Sequence, residues 1–181
     1  MGLFDGKKGL ILGVANDHSI AWAIAEKIMD AGGECGFSHL PDRPDDERQR
    51  NRRRVALLTD KCEAAKFLVP MNVCKDEDIQ AVMERAKEEF GKIDFLLHSI
   101  AFANLDDLKR DTVETSRDGF KMAMEISAYS LIAVCNAAKS ILSENAAVLT
   151  MTYFGGEKAV PGYNVMGICK AALDASVRYL A

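Results

Sequence analysis

The chain has 181 residues, 49% hydrophobic and 28% charged, with a formal net charge of −4. That size and composition fit one soluble globular domain over residues 1–181, and the acidic balance argues against a nucleic-acid partner. The five cysteines, Cys35, Cys62, Cys74, Cys135 and Cys169, include no C-x-x-C pair. Neither a zinc site, any other metal site, nor a disulfide framework is therefore expected, and reduced thiols fit a cytoplasmic setting.

The start, Met-Gly-Leu-Phe-Asp-Gly, lacks the apolar core of a signal peptide, and no apolar run reaches membrane-span length. Lys8 to Gly13 (KGLILG) is an apolar run closed by glycine and predicts a buried parallel strand. Val14 to Ser19 is a polar turn. Ile20 to Ala31 has helical periodicity, with Gly32-Gly33 as its stop. Glu34 to Leu40 predicts a second strand. Pro41 to Arg54 is charge-dense and predicts a solvated loop leading into a surface helix over Asp45 to Thr59. Ala65 to Val73 predicts a third strand. Asp76 to Phe90 is an amphipathic helix, with Asp76 as N-cap, acids in its first turn and Gly91 as its stop. Ile93 to Ile100 predicts a fourth strand, and Ala101 to Thr115 a loop with a helical turn. Ser116 to Ser143 predicts one long helix, Ala146 to Thr152 a fifth strand, and Tyr163 to Leu180 a final helix.

Strands alternating with helices of this length predict the α/β class: a three-layer, doubly wound, Rossmann-type parallel sheet. Ligands in such sheets lie at the carboxyl ends of the strands, here Gly13, Leu40, Asn72, Ser99 and Thr152.

Several residues at those ends carry chemistry. The first turn, Gly13-Val-Ala15-Asn-Asp-His-Ser19-Ile20-Ala21, lacks the usual G-x-G-x-x-G fingerprint. Its small residues still permit close approach of a pyrophosphate to a helix N-terminus. A plain strand-to-helix turn with Ser19 as N-cap is the other reading. Strand two ends His39-Leu40 without a carboxylate and with Arg43 beyond, which leaves NADH against NADPH open. Asn72-Val73 closes strand three and either frames an adenine edge or turns into the next helix. Small residues after His98 let a cofactor ribose pass close to the backbone. His98 itself reads as a core histidine, and His18 and His39 as surface residues. Ser127, Tyr129 and Ser130 read as structural. After strand five come Tyr153, Tyr163 and Lys170. A phenol donates best to a developing oxyanion when a fixed positive charge stands nearby, and residues seven apart share one helix face.

The segments G-V-A-N-D-H-S-I-A-W, H-S-I-A-F-A and T-Y-F-G-G-E-K-A-V-P-G-Y-N-V-M-G-I-C-K-A-A-L resemble the enoyl-acyl-carrier-protein reductases of type II fatty acid synthesis. These are a divergent branch of the short-chain dehydrogenase/reductase superfamily. The resemblance spans nearly the whole chain. Its most specific mark is the Tyr-x6-Lys spacing of Tyr163 and Lys170, where most of the superfamily has Tyr-x3-Lys; Tyr153, ten residues earlier, is a second mark.

The resemblance implies reduction of a trans-2-enoyl thioester, carried on acyl-carrier protein, by NADH, with NADPH not excluded. Tyr163 would hydrogen-bond the thioester oxygen, Lys170 would hold the nicotinamide ribose, and Tyr153 would line the substrate pocket with Ala103. Gly13, Ala15, Ser19 and Ile20 would meet the pyrophosphate and ribose. Leu40, Asn72 and Val73 would meet the adenosine, and Ser99, Ile100 and Ala101 the nicotinamide side. A cytoplasmic homotetramer assembled through the long helix is implied too. Leu40 departs from a common Gln and Ala101 from a common Gly. The family continues past Ala181 with a sixth strand, a substrate-covering lid and a seventh strand, so a fragment or a truncated chain is expected. The alternatives are a carbonyl reductase of the same superfamily, which Tyr-x6-Lys disfavours, or an inactive nucleotide-binding remnant.

Overall fold

The computed structural model describes residues 2–181. The chain divides into two compact units. One runs to Ser99 and takes in Ala137–Leu149; the other comprises Ile100–Asn136 and Thr150–Ala181.

The first unit is built from β1 (Lys8–Leu12), α1 (Ile20–Asp30), β2 (Glu34–His39), α2 (Arg50–Thr59), β3 (Ala65–Pro70), α3 (Asp76–Phe90), β4 (Ile93–His98) and β5 (Leu142–Thr150). The five strands form one sheet in the order β3-β2-β1-β4-β5, and β1–β2, β2–β3 and β1–β4 pair in parallel. This is the predicted Rossmann-type sheet. Winding reverses between β1 and β4, the place where such sheets open a crevice at their carboxyl ends. The inner strands read as near-continuous apolar runs because a parallel strand is covered on both faces. Leu10, Ile11, Leu12, Phe37 and Leu96 are all fully buried. In register, Gly9 faces Phe95 and Gly36 faces Phe67, and a β-carbon at either glycine would collide with the opposing ring.

Asp94 anchors the start of β4. It accepts from Lys7 Nζ at 3.0 Å, the Lys8 N–H at 3.1 Å and Ser143 Oγ at 3.4 Å. Burial alone would raise this carboxyl. The hydrogen bonds from Lys7 and Lys8, the Lys7 charge and the Ser143 hydroxyl outweigh burial and hold it below the ordinary value. A depressed carboxyl contributes stability that is fully present above its unfolded pKa of about 3.9 and is lost as pH falls through the folded value. Asp94→Asn should therefore lower Tm at neutral pH and flatten its fall with acid; a parallel acid profile would remove Asp94 from this role.

Several predicted boundaries move. The helix expected over Asp45–Thr59 starts only at Arg50. The acids ahead of it are spent as external caps: Asp42 accepts the N–H groups of Asn51 at 2.6 Å and Arg52 at 3.2 Å, and Asp46 accepts the N–H and Nε of Arg50. The third strand stops at Pro70, so Asn72-Val73 lies in the turn beyond it. The α3 N-cap is Lys75, with Asp76 the first helical residue. His39, expected at the surface, is 5% exposed, its Nδ1 donating to the Leu40 carbonyl at 2.9 Å.

The largest correction concerns Ser116–Ser143. The second unit contains α4 (Leu105–Lys109), a 3-10 turn at Thr112–Glu114, α5 (Arg117–Met124), a π-helical turn at Glu125–Tyr129 and α6 (Ser130–Ala138), with β5 already under way at Ser143. No glycine or proline marks the stop in this Ala-rich run. What ends the helix is pairing within the first unit. The Ile93 N–H donates to the Ile141 carbonyl at 2.8 Å, and Lys92 Nζ to the Ser140 carbonyl at 2.9 Å. The second unit closes with a 3-10 turn at Phe154–Gly156 and α7 (Asn164–Leu180), whose inner face packs Val165, Met166 and Cys169 on Ala123.

Candidate active site

In the first unit, Gly13 ends β1 at φ +98°, a left-handed conformation that glycine enters without strain. Ser19 Oγ accepts the N–H groups of Ala15 at 3.0 Å and Asn16 at 3.1 Å, so the hydroxyl closes the turn behind it instead of capping the helix ahead. Ile20 and Ala21 open α1 with N–H groups that have no intrahelical acceptor, and no acid stands in the first turn. Donors, a helix dipole and the lack of a competing carboxylate together fit a diphosphate, without the second and third glycines of the usual fingerprint.

Ile20 and Leu40 are 62% and 63% exposed, leaving apolar surface beyond β1 and β2. Arg43 is exposed too and forms no salt bridge among the described residues. Val73 is buried. Asn72 spends its side chain on the Cys74 N–H at 3.1 Å, and its own N–H goes to Asp78. The local turn therefore accounts for Asn72. The Ser99 N–H reaches the Leu12 carbonyl at 3.0 Å and prolongs the β1–β4 ladder.

The second unit brings Tyr153, Tyr163 and Lys170 together with Ala103. Tyr163 is the N-cap residue of α7, and Lys170 follows two turns on along the same face. Helical side chains tilt toward the N-terminus, so Lys170 leans toward Tyr163. Lys170 is 5% exposed and donates from Nζ to the Met151 carbonyl at 2.5 Å. Burial pulls its pKa down from the usual lysine value, against the opposing influence of Cys169 and Asp174. Tyr153 packs edge-on to Tyr163, ring centres 4.8 Å apart at 64°. Burial, then Tyr153 and Cys169, push the Tyr163 phenol above its ordinary value, so it stays a proton-bearing donor at neutral pH. Cys169, pushed up to about 11 chiefly by burial, is an inert thiol. Among the described residues no cluster could hold a metal ion.

Structural partners of this cluster escaped sequence reasoning. A β-carbon on Gly155 would collide with the Tyr163 ring, 2.9 Å from Cε1, and lie 3.2 Å from Tyr153 Cδ1. One on Gly167 would stand 2.7 Å from the Gly155 carbonyl oxygen. Glycines between two tyrosines and one turn into a helix were the available signal. Ser127, inside the π turn, accepts the Phe102 N–H at 2.9 Å and donates to the Phe102 carbonyl at 3.1 Å, fixing the backbone beside Ala103. Ser130 donates to the Ile126 carbonyl, while Tyr129 is 54% exposed.

The family model described as "Enoyl-(Acyl carrier protein) reductase" matches residues 13–181. The enoyl-[acyl-carrier-protein] reductase [NADH] FabI of Bacillus cereus is 47% identical over 182 residues, covering 100% of this chain and 68% of its own. Its counterpart in a Nostoc species is 45% identical, covering 97% of this chain; the chain spans 66% of that relative's length. Among solved structures, the reductase of Anaplasma phagocytophilum in complex with NAD superposes with a TM-score of 0.91 at 40% identity. That match covers 99% of this chain and 66% of the other.

Proposed function

The chain belongs to the enoyl-(acyl carrier protein) reductase family, and from that premise we propose that it reduces trans-2-enoyl thioesters on acyl-carrier protein to saturated acyl thioesters, with NADH, in fatty acid elongation. The observation that carries this reading is the phenol–ammonium pair on one face of α7, with Tyr153 set against Tyr163. The reduced nicotinamide supplies the hydride that adds to the β-carbon of the substrate.

This chain's residues then have defined tasks. Tyr163 donates a hydrogen bond to the thioester oxygen as negative charge gathers there, an interaction stronger in the transition state than in the ground state. Lys170, anchored on the Met151 carbonyl, keeps two N–H donors for ribose hydroxyls, and its charge favours the oxyanion. Tyr153, 49% exposed, lines the substrate side with Ala103 and is the second group able to pass a proton toward the α-carbon. Gly13, Ala15, Ser19 and Ile20 would hold the diphosphate and ribose, Leu40, Asn72 and Val73 would border the adenosine, and Ser99, Ile100 and Ala101 would border the nicotinamide ribose. Arg43 leaves NADPH as an alternative donor.

A homotetramer joined through α5 and α6 is supported by the exposed Phe120, Met122, Tyr129 and Ile132 on those segments. A cytoplasmic location is consistent with the described residues, which include no helix long and apolar enough to cross a membrane. The test mixes the protein with NADH and a crotonyl thioester and follows loss of NADH absorbance. NADH binding without turnover of any thioester would leave only a nucleotide-binding role. Turnover of ketones in place of enoyl thioesters would move the chain to the carbonyl reductases.

A further inference from the structure

The second unit holds a polar network that the reaction does not use. Asp107, in α4, is 2% exposed and has no salt-bridge partner among the described residues. Its carboxylate accepts the Ser116 N–H at 2.9 Å and the Ser116 hydroxyl at 3.1 Å. Ser116 Oγ in turn accepts the Gly119 N–H at 3.1 Å, capping α5. The fit leaves no space for a side chain at position 119: a β-carbon there would collide with Asp107 Oδ2 and lie 2.6 Å from Ser116 Oγ. The Ser116 N–H and hydroxyl, helped by the Arg110 charge and the Asn104 side chain, hold the Asp107 carboxyl below its ordinary value, overcoming the effect of burial.

The C-terminal end of α4 is tied as well. Asn164 Nδ2 donates to the carbonyl of Arg110, the residue that ends α4. Asn164 is the first residue of α7 and directly follows Tyr163. Between these ties, Leu108 packs on the apolar cluster of Ala123, Val165, Met166 and Cys169 that also receives Tyr163 and Ala103. An open groove of about 620 Å³, bordered by Phe102, Ala103 and α4, runs along the same strut.

We propose that Asp107 and Asn164 are positioning residues for Tyr163, acting through the α4 strut, which Asp107 ties at its middle and Asn164 at its C-terminal cap. A short helix of this kind has little stability of its own, so its place is set by its ties. Loss of the Asn164 amide frees the backbone next to Tyr163, and loss of the Asp107 carboxylate frees the body of the strut from α5. The inference rests on the reading of Tyr163 as the oxyanion donor, and its test separates the two.

Four variants, Asn164→Ala, Asn164→Gln, Asp107→Ala and Asp107→Asn, and the double alanine variant would be compared with the parent protein. The readouts are kcat and KM with NADH and crotonyl thioester, NADH affinity by fluorescence, and the phenol titration of Tyr163 by tyrosine-labelled NMR. Each alanine change should lower kcat by about tenfold, as one lost hydrogen bond allows, and leave NADH affinity within about twofold. It should also draw the Tyr163 titration down toward the ordinary tyrosine value. Asn164→Gln and Asp107→Asn, which keep an amide donor and a carbonyl acceptor, should recover most of both effects. The double variant should lose less than the sum of the singles, because both act through one element. Additive losses, or variants with parental kcat and parental Tyr163 titration, overturn the inference. If the parent shows no turnover but the titration still shifts in the variants, the positioning stands and the enzymatic reading fails. Should an alanine variant fail to fold, the conservative pair decides: a measurable kcat loss accompanied by a downward shift of the Tyr163 titration supports the inference, and parental kcat with parental titration, or a loss with an unshifted titration, overturns it.

Discussion

Tyr163→Phe should lower kcat by about 10²- to 10³-fold, the usual cost of deleting one donor to a developing oxyanion. The phenylalanine keeps the ring that packs on Tyr153 and on the Val165–Cys169 face of α7, so Tm should barely move. NADH affinity should stay near parental, because the hydroxyl serves the thioester oxygen. Stopped-flow reduction of a crotonyl thioester, beside fluorescence titration with NADH, measures both quantities. Tyr153→Phe is the necessary comparison. Its ring is half in solvent. It should cost clearly less than Tyr163→Phe. The opposite ranking would transfer the donor role to Tyr153.

Gly155→Ala should be strongly damaging, because its methyl presses directly on Tyr163. The new β-carbon collides with the Tyr163 ring, and retreat is blocked on the other side, where Gly155 presents its carbonyl to Gly167. Overpacking of this kind costs about 1–3 kcal/mol of stability. The rate should suffer more than the fold: displacing a reacting group by about 1 Å costs on the order of 10²-fold. The expected result is a kcat about 100-fold down with NADH still bound, since the β1–α1 turn is untouched. Gly156→Ala is the internal control. Its β-carbon would meet the end of the Asp174 side chain at 2.9 Å and the backbone of Ala171 and Lys170 at 3.0 and 3.1 Å, tight contacts but no collision with the Tyr163 ring, so the effect should be milder. Equal losses at the two glycines would show that general crowding, not pressure on Tyr163, is responsible.

Much of the scaffold was legible because it rests on local pattern. The apolar runs Lys8–Gly13 and Ile93–Ile100 predict strands that parallel pairing then buries on both faces. The period of Asp76–Phe90 predicts its helix, with only the cap one residue off. Burial of His98 followed from its place in the fourth apolar run. The six-residue gap between Tyr163 and Lys170 is a helical statement, and it holds because α7 opens beside Tyr163. The same reasoning failed where a distant partner decided. Asp46 looks like a helix residue in a charge-dense run until its carboxylate, with that of Asp42, is seen holding the α2 N-terminus from outside. His39 looks like a surface residue until strand pairing with β1 and β3 encloses it.

By itself the sequence determined the alternation of strands and helices, the α/β class, the phenol–ammonium spacing and, with those, the family. Each depends on residues within a few turns of one another, where periodicity and steric preference act directly. Only the tertiary structure decided where the Ser116–Ser143 run breaks, because hydrogen bonds from Lys92 and Ile93 end that helix and no local stop residue does. It alone revealed that Gly155 lies beneath the Tyr163 ring, that Asp107 ties α4 to the start of α5, and that Asn164 ties it to the start of α7. The first two contacts bridge chain reversals and the third joins residues 54 apart. No spacing rule encodes them, because they exist only once packing has chosen which surfaces meet.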